Sequence, residues 1–571
     1  MSTETDDMTL RERIVTNPRP ALLWFAGFAL LFAAELGRFA HGFIALGDAA
    51  WFLITGLAKG PGWIQNNVAG TLGSVAGSIA YALMALLLLG IAAVIVKWLF
   101  VPFSIVDRLG IDRGVGEKEI IERAIIALGL GVFVGLVIAT PLGGVLDAIV
   151  TAIKGGIESV GSLQTLTSRE TIPNQGYQNP DGSGWEGTFM GLSPAWSWAV
   201  RVFVIYAYAF LFLGWVWKGY DIFREHYREA DWTPRDDSVN RFRTHYWGIF
   251  GLVIVFAFVV MAIWAPALGP VTAEENLYSP YEHELQYNDD GEIKTITHGT
   301  ANIDSRSQGG ESNIGPMSYD DYGRWAPLGT NQDGKDLFTF VAFGARTSLV
   351  IGLTAIGLGT LIALVLSMVT AYYKGLVDLL TIIASDTIIS IPAFLMVLLL
   401  SVVFQEANHP IAEIYDGGLL LALIFAGVYW PTLWRSIRGP SLQVAEEEWV
   451  DAAKSYGQSP VMTMRKHMAP YIASYIMIYA SLLLGGIIIA TAALSFLGLG
   501  INPPTPEWGR IVSSGRSYVS TSSWHISTIP GIMIVLVVTG FNALGDGIRD
   551  AIDPESDIGG GGDAAATGGG G

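Results

Sequence analysis

The 571-residue chain is 51% hydrophobic and 15% charged, has a formal net charge of −18, and contains no cysteine. A soluble domain carries about 25% charged residues, so this composition belongs to a protein that buries long apolar runs in lipid. The acidity argues against a nucleic-acid partner, and the missing thiol excludes disulfides, thiol catalysis and cysteine metal sites.

The first twenty residues lack the basic head of a signal peptide, so the apolar run 21–36 predicts an uncleaved first span. Residues 43–57 are apolar but interrupted by Asp48, and read as a short span, a re-entrant segment or a surface helix. The runs 74–100, 124–140, 196–217 and 246–268 predict further spans, whereas 145–153 is too short to cross and predicts an interfacial piece. A polar, acidic stretch occupies 269–340; its acid suits a high-salt exterior, where screening is strong. The runs 347–372, 380–404, 419–434, 472–493 and 526–544 complete a total of about ten spans. The expected fold is therefore all-α and polytopic, with a glycine-rich tail from 558 that has nothing to bury.

Basic residues near span ends set the orientation. Lys218, Arg224, Arg228, Arg235, Arg241 and Arg243 mark one inside segment, and Arg435, Arg438, Lys454, Arg465 and Lys466 another. The resulting alternation places both termini in the cytoplasm and 269–340 outside. It argues against 43–57 crossing.

Residues 441–470 are a polar interval between apolar runs. Ala445, Trp449, Ala452 and Tyr456 fall on one helical face, Gly457 offers a left-handed stop, and Ser459-Pro460 restarts a short helix that Pro470 should break. The pattern alone fits a helix pair packed on its own protein or a docking element for a soluble partner. Asp451-Ala452-Ala453 with Gly457 and Pro470 resembles the EAA loop of ABC importer permeases, with Asp451 where the family has Glu. The resemblance implies that this loop, including Trp449, couples to an ATPase.

Further stretches extend the resemblance to the dipeptide and oligopeptide (DppC/OppC-type) permeases: 327–336 (PLGTNQDGKD), 344–349 (GARTSL), 494–500 (LSFLGLG), 503–509 (PPTPEWG) and 542–554 (NALGDGIRDAIDP). Together they cover roughly 241–554. They imply a type I ABC importer transmembrane domain over 344–546, a first permease helix at 246–268, and a cytoplasmic tail from 547. The residues 1–217, with about four spans, lie outside the resemblance and are expected to separate from the core at the linker 218–245.

In the 498–509 segment, Gly498 and Gly500 let the chain turn at the outer surface, Pro503 and Pro504 hold it extended, and Trp508-Gly509 suits the interfacial belt. A structural turn explains these residues as well as a gate does. Asp386 is the one acid inside an apolar run, either a functional polar site or a paired surface group. Arg201 is expected to snorkel, Glu35 and Arg38 to pair locally, Gly131 and Gly135 to pack a neighbouring helix closely, and Arg549 to be neutralised by Asp546, Asp550 and Asp553.

The chain has no GxxxxGK[ST] phosphate loop and no HExxH, so a transport subunit without catalytic residues, metal or cofactor is expected. The resemblance implies peptide uptake, with a second homologous permease, two ATPase subunits and an extracytoplasmic solute-binding protein as partners. A permease of this type for nickel or another small solute remains an alternative, as does an ATP-independent channel or secondary transporter.

Overall fold

A computed structural model describes residues 8–67, 70–101, 105–109, 115–230 and 232–552. The glycine-rich tail and Asp553 lie outside the described residues. The chain divides into two units: residues 1–39, 162–354 and 480–571 form one, and residues 40–161 and 355–479 the other.

Eight described helices are long and apolar enough to cross a membrane, and two further helix pairs pass that test only together. The helices run past the apolar runs that announce them. The apolar run 419–434 sits inside the helix Gly418–Ala445, and 526–544 inside His525–Ile552, which carries on beyond the expected tail boundary at 547. Lipid sets where apolar residues must be, whereas hydrogen bonding lets a helix continue into water.

Two expected spans are bent. The first is the 17-residue helix Pro18–Ala34, set at 96° to Leu10–Thr16. The run 380–404 is split into Gly375–Ile389 and Ala393–Glu406, bent by 80°. Pro392 stands at the break, where it cannot donate to the preceding turn. The ambiguous run 43–57 lies within a single helix, Leu36–Asn67, and 145–153 within Leu142–Gly161.

In the first unit, Pro18–Ala34 packs along Pro194–His226 through a reciprocal tryptophan pair. Trp24 Nε1 donates to the Trp215 carbonyl at 2.9 Å, and Trp215 Nε1 donates to the Trp24 carbonyl at 3.1 Å. Helix Tyr246–Ile263 lies against His525–Ile552 along a seam of small residues. A Cβ on Gly248 would come within 2.9 Å of Gly547 Cα, and one on Gly251 would meet the backbone of Gly540 and Leu544. Such seams let lipid-embedded backbones approach closely. Of the expected Gly131–Gly135 pair, Gly131 meets Leu89 of helix Gly70–Phe100, 3.7 Å from an added Cβ, whereas a Cβ at Gly135 would meet nothing within 4 Å.

The stretch 269–340 belongs to this unit and has its own structure. Strands Glu284–Asp289 and Glu292–Thr297 form an antiparallel hairpin, turned at Asp290-Gly291 with φ of 49° and 94°. Both residues at positive φ suit the twist of a two-residue hairpin. The segment 162–193 of the N-terminal extension folds onto this domain. Arg169 donates to the carbonyls of Gly269 (2.8 Å) and Pro270. Arg201 is buried and does not snorkel; it donates to the carbonyls of Ile172 and Gly269, both at 2.9 Å. Glu35 pairs with Arg38 at 2.8 Å as expected, but it is also fully buried and accepts from the Thr167 N–H and hydroxyl. Buried charges need such partners. The expected separation of 1–217 from the rest is therefore crossed by direct bonds between 162–201 and 269–270.

Candidate functional site

The residues singled out from the sequence fall into two sets, and the two sets belong to different units. The first set lies on the chain that follows helix Gly418–Ala445. That helix ends one residue before Glu446, so Ala445 belongs to it rather than to the next helix. The short helix Glu448–Ser455 then begins after Glu447. Its buried contact is Val450, which is 0% exposed and which the expected apolar face did not include. Trp449 is 40% and Tyr456 92% exposed, and Ala452 is also exposed. Trp449 stacks on Tyr471 with ring centroids 5.4 Å apart. Asp451 pairs with Lys454 at 3.1 Å, an exposed i, i+3 pair that holds the acid on its own helix.

Gly457 stops this helix at φ +77°. The Gln458 N–H reaches the Ala453 carbonyl at 3.1 Å and the Gly457 N–H reaches Lys454 at 2.9 Å, the paired closure of a Schellman cap. Ser459 and Pro460 start the next helix as expected. Pro470 does not break it. A π-turn at Met464–Met468 carries the chain into Ala469–Phe496, where Pro470 is the second residue. The wider turn shifts the ring off the preceding carbonyl and removes the need for its missing N–H.

The helix leading into this element is fastened to the bent span. Arg438 makes a two-pronged bond to Asp378, with Nε to Oδ1 at 2.9 Å. Arg435 pairs with Asp386 and donates to Ser385 Oγ at 3.1 Å. Lys374 reaches Glu446 at 3.1 Å. Asp386 is thus not an isolated acid; it is half-exposed and one rung of a ladder of ion pairs joining Gly375–Ile389 to the end of Gly418–Ala445. Sequence reasoning flagged Asp386 from its apolar surroundings but missed Asp378 and its partner, because Arg438 lies 60 positions further along the chain and no local pattern marks the pair.

The second set surrounds a turn between Ala469–Phe496 and the short helix Trp508–Gly515. Gly498, at φ +79°, closes a second Schellman cap, with Leu499 N–H to the Leu494 carbonyl at 3.0 Å and Gly498 N–H to Ser495 at 3.1 Å. Gly500 passes so close to Ser495 that a Cβ would overlap it. The Pro503-Pro504 peptide is cis. Trp508 is not interfacial. It is fully buried, donates from Nε1 to the Val341 carbonyl at 2.8 Å, and meets Phe258 edge-on. Gly344 makes room for it: a Cβ there would lie 2.5 Å from the indole Cδ1. Gly509 in turn rests on the Ala492 carbonyl, with no room for a side chain. The 344–349 and 503–509 motifs are therefore two halves of one packing contact.

Glu507 caps helix Trp508–Gly515 by accepting from the Arg510 N–H at 3.1 Å. It is 0% exposed, and burial pushes its carboxyl up to about 7. Arg510 instead donates to the carbonyls of Ile501 (3.1 Å) and Thr505, holding the turn onto the helix. The 327–336 motif also has a structural account. Asp336 caps helix Leu337–Tyr373 by accepting from the Thr339 N–H at 2.6 Å, and burial pushes it up to about 6. Of the acids expected to neutralise Arg549, Asp550 instead pairs with His245 at 3.0 Å.

Residues 355–557 match the family described as binding-protein-dependent transport system inner membrane component, and residues 233–287 match the N-terminal TM domain of oligopeptide transport permease C. The chain is 28% identical over 323 residues to the dipeptide transport system permease protein DppC of Alkalihalophilus pseudofirmus, covering 57% of this chain and 90% of that protein. It is 28% identical over 324 residues to the glutathione transport system permease protein GsiD of Escherichia coli, covering 57% and 91%. These proteins are membrane transport components rather than enzymes. Residues 233–287 and 355–557 thus carry the likeness to permeases of binding-protein-dependent importers, and the function this supports is that of the permease subunit of an ABC importer.

Proposed function

We propose that this permease forms part of a membrane path for peptides, and that the helix Glu448–Ser455 with its Gly457 turn receives the stroke of a separate ATPase. The observation that carries the substrate class is the match, over nine-tenths of their length, to permeases named for a dipeptide and for glutathione, itself a small peptide. The coupling role is supported by outward Trp449, Ala452 and Tyr456 on a helix anchored by Val450. The ion-pair ladder from the preceding helix Gly418–Ala445 to Gly375–Ile389 gives a push on Glu448–Ser455 a route into the bent span. The complete transporter then holds a second, homologous permease, two ATPase subunits and an extracytoplasmic solute-binding protein. Both termini and the coupling helix face the cytoplasm, the 269–340 domain faces outside, and its acidity suits a high-salt exterior.

The test is uptake by the reconstituted transporter. Labelled dipeptide should accumulate in proteoliposomes when ATP is supplied on the ATPase side, and unlabelled dipeptide should compete. Accumulation of nickel without competition by peptide would overturn the substrate class.

A further inference from the structure

The extension segment 162–193 and the 269–340 domain share one cavity of about 420 Å³. That is within the size range of small-molecule sites, about 300–1,000 Å³. Gln175 and Glu186 line it from the extension; Glu275, Glu284, His298 and Arg324 line it from the domain. The family matches begin at residue 233. The extension's share of the wall therefore comes from a part of the chain outside those matches.

The charges in this wall do not balance. Arg324 is committed to Asp320 (2.6 Å), Asn302 (2.7 Å) and Ser305 (3.0 Å). Burial pushes His298 down to about 4, so its ring is neutral. Burial works against ionisation of Glu275, but the Thr272 N–H at 2.8 Å and Gln175 at 2.9 Å, with Arg169 nearby, hold its carboxyl below the ordinary value. Three glutamates thus face the space with one guanidinium already paired, and the cavity favours a cation. The second observation is His298 itself. It is 4% exposed and lines the cavity. In the same wall, Asn174 Oδ1 is buried without a hydrogen-bond partner among the described residues, which costs stability unless something completes it. A neutral imidazole offers one donor and one acceptor, which matches a peptide group.

We propose that this cavity binds the free amino end of a short peptide, with Glu275 and Glu284 receiving the ammonium and His298 the first peptide unit. The proposal rests on the peptide reading above and places a peptide site on the domain rather than in the membrane path. Aromatic residues carry the wall onward: Tyr177 and Tyr322 also line an adjoining cavity of about 500 Å³, together with Trp185 and Tyr319, which leaves room for the peptide to continue.

The experiment is calorimetric titration of the detergent-solubilised full chain, without partner subunits, using trialanine and N-acetyl-trialanine as probes. Trialanine should bind, and acetylation, which removes the charge, should weaken binding by about tenfold or more. Glu275→Gln keeps an acceptor for Thr272 while removing the charge, and should lower affinity similarly with little change in unfolding temperature. Thr295→Trp, at an exposed strand position on the rim, should fill the space and abolish binding. No heat from trialanine, equal affinity for the acetylated probe, or undiminished binding by folded Glu275→Gln would overturn the proposal. Peptide uptake by the reconstituted transporter is measured beside it. Uptake without trialanine binding sinks the cavity assignment alone, and binding without uptake sinks the transport reading alone.

Discussion

The guanidinium of Arg201 lies 2.9 Å from the carbonyl oxygen of Gly269, and this bond ties the N-terminal extension to the chain that leaves the first permease helix. Arg169 reaches the same carbonyl at 2.8 Å. Two arginines of the extension thus converge on one turn, where the carbonyls just beyond Ala265–Leu268 lack helical partners.

Arg201→Leu should therefore loosen the extension from the domain. Losing the donors leaves the buried Ile172 carbonyl without its side-chain partner, at a cost on the order of 1–3 kcal/mol. Limited proteolysis should cut 162–193 faster in the variant than in the parent, at equal expression. Unchanged protection would mean that the arginine is not what holds this segment. By the same reasoning, removal of residues 1–217 should leave a core with an unpaired 269–270 turn and a lower unfolding temperature.

Glu507 gives stability a defined pH dependence. Its carboxyl titrates near about 7 when folded and in the ordinary carboxylate range when unfolded, because burial disfavours the charge. A raised folded value means that the stabilising contribution is complete at low pH and is lost as pH rises through about 7. Glu507→Gln, which keeps an acceptor for the Arg510 N–H, should flatten that decline and be more stable than the parent at pH 8. Unfolding temperature across pH 5–8, compared between the two proteins, measures it. Parallel curves would contradict the assignment.

Gly509→Ala should be destabilising well beyond the usual effect of one methyl group, because the new Cβ overlaps the Ala492 backbone. Overpacking of this kind costs about 1–3 kcal/mol. The readout is thermal unfolding in detergent, and a tolerated alanine would show that the Trp508 contact can shift.

Asp378 and Arg438 form the central rung of the ladder. Each neutral variant should lower thermal stability, and the double variant should lose less than the sum, with a coupling of about 1 kcal/mol or more. Strict additivity would argue that the pair contributes no mutual stabilisation.

How much of this was legible beforehand follows from where the signals are local. The Gly457 cap and the Ser459-Pro460 restart are decided by a few adjacent residues, and their backbone geometry follows from residue type. The span count follows from apolar runs. What could not be read is long-range. Trp508 looks like an interfacial residue until Gly344, far along the chain, is seen to open a pocket for it. Arg201 reads as a snorkelling end-residue because its partners are backbone carbonyls, which leave no mark in sequence. The Gly131/Gly135 spacing resembled a packing motif, but the close seam formed at Gly248 and Gly251, since a glycine pattern does not name its partner helix. Pro470 reads as a breaker because the π-turn that absorbs it has no simple signature.

Gly457→Val tests the turn. No atom lies within 4 Å of the added Cβ, so the strain comes from the backbone alone. A β-branched residue at φ +77° costs about 1 kcal/mol or more, small for membrane insertion but enough to re-aim a docking helix. The variant should insert normally and lose peptide-stimulated ATP hydrolysis, whereas replacement of Gln458 should be tolerated. Normal turnover by Gly457→Val would remove the turn from the coupling path.

The central claim is that the exposed face around Tyr456 meets an ATPase, and the cysteine-free chain allows it to be tested directly. A single cysteine is placed at Tyr456, which is 92% exposed, and the assembled transporter is treated with a short thiol crosslinker. The account predicts a covalent adduct with an ATPase subunit and protection of the thiol from impermeant reagents added outside intact cells. Labelling from outside, with no ATPase adduct, would contradict it.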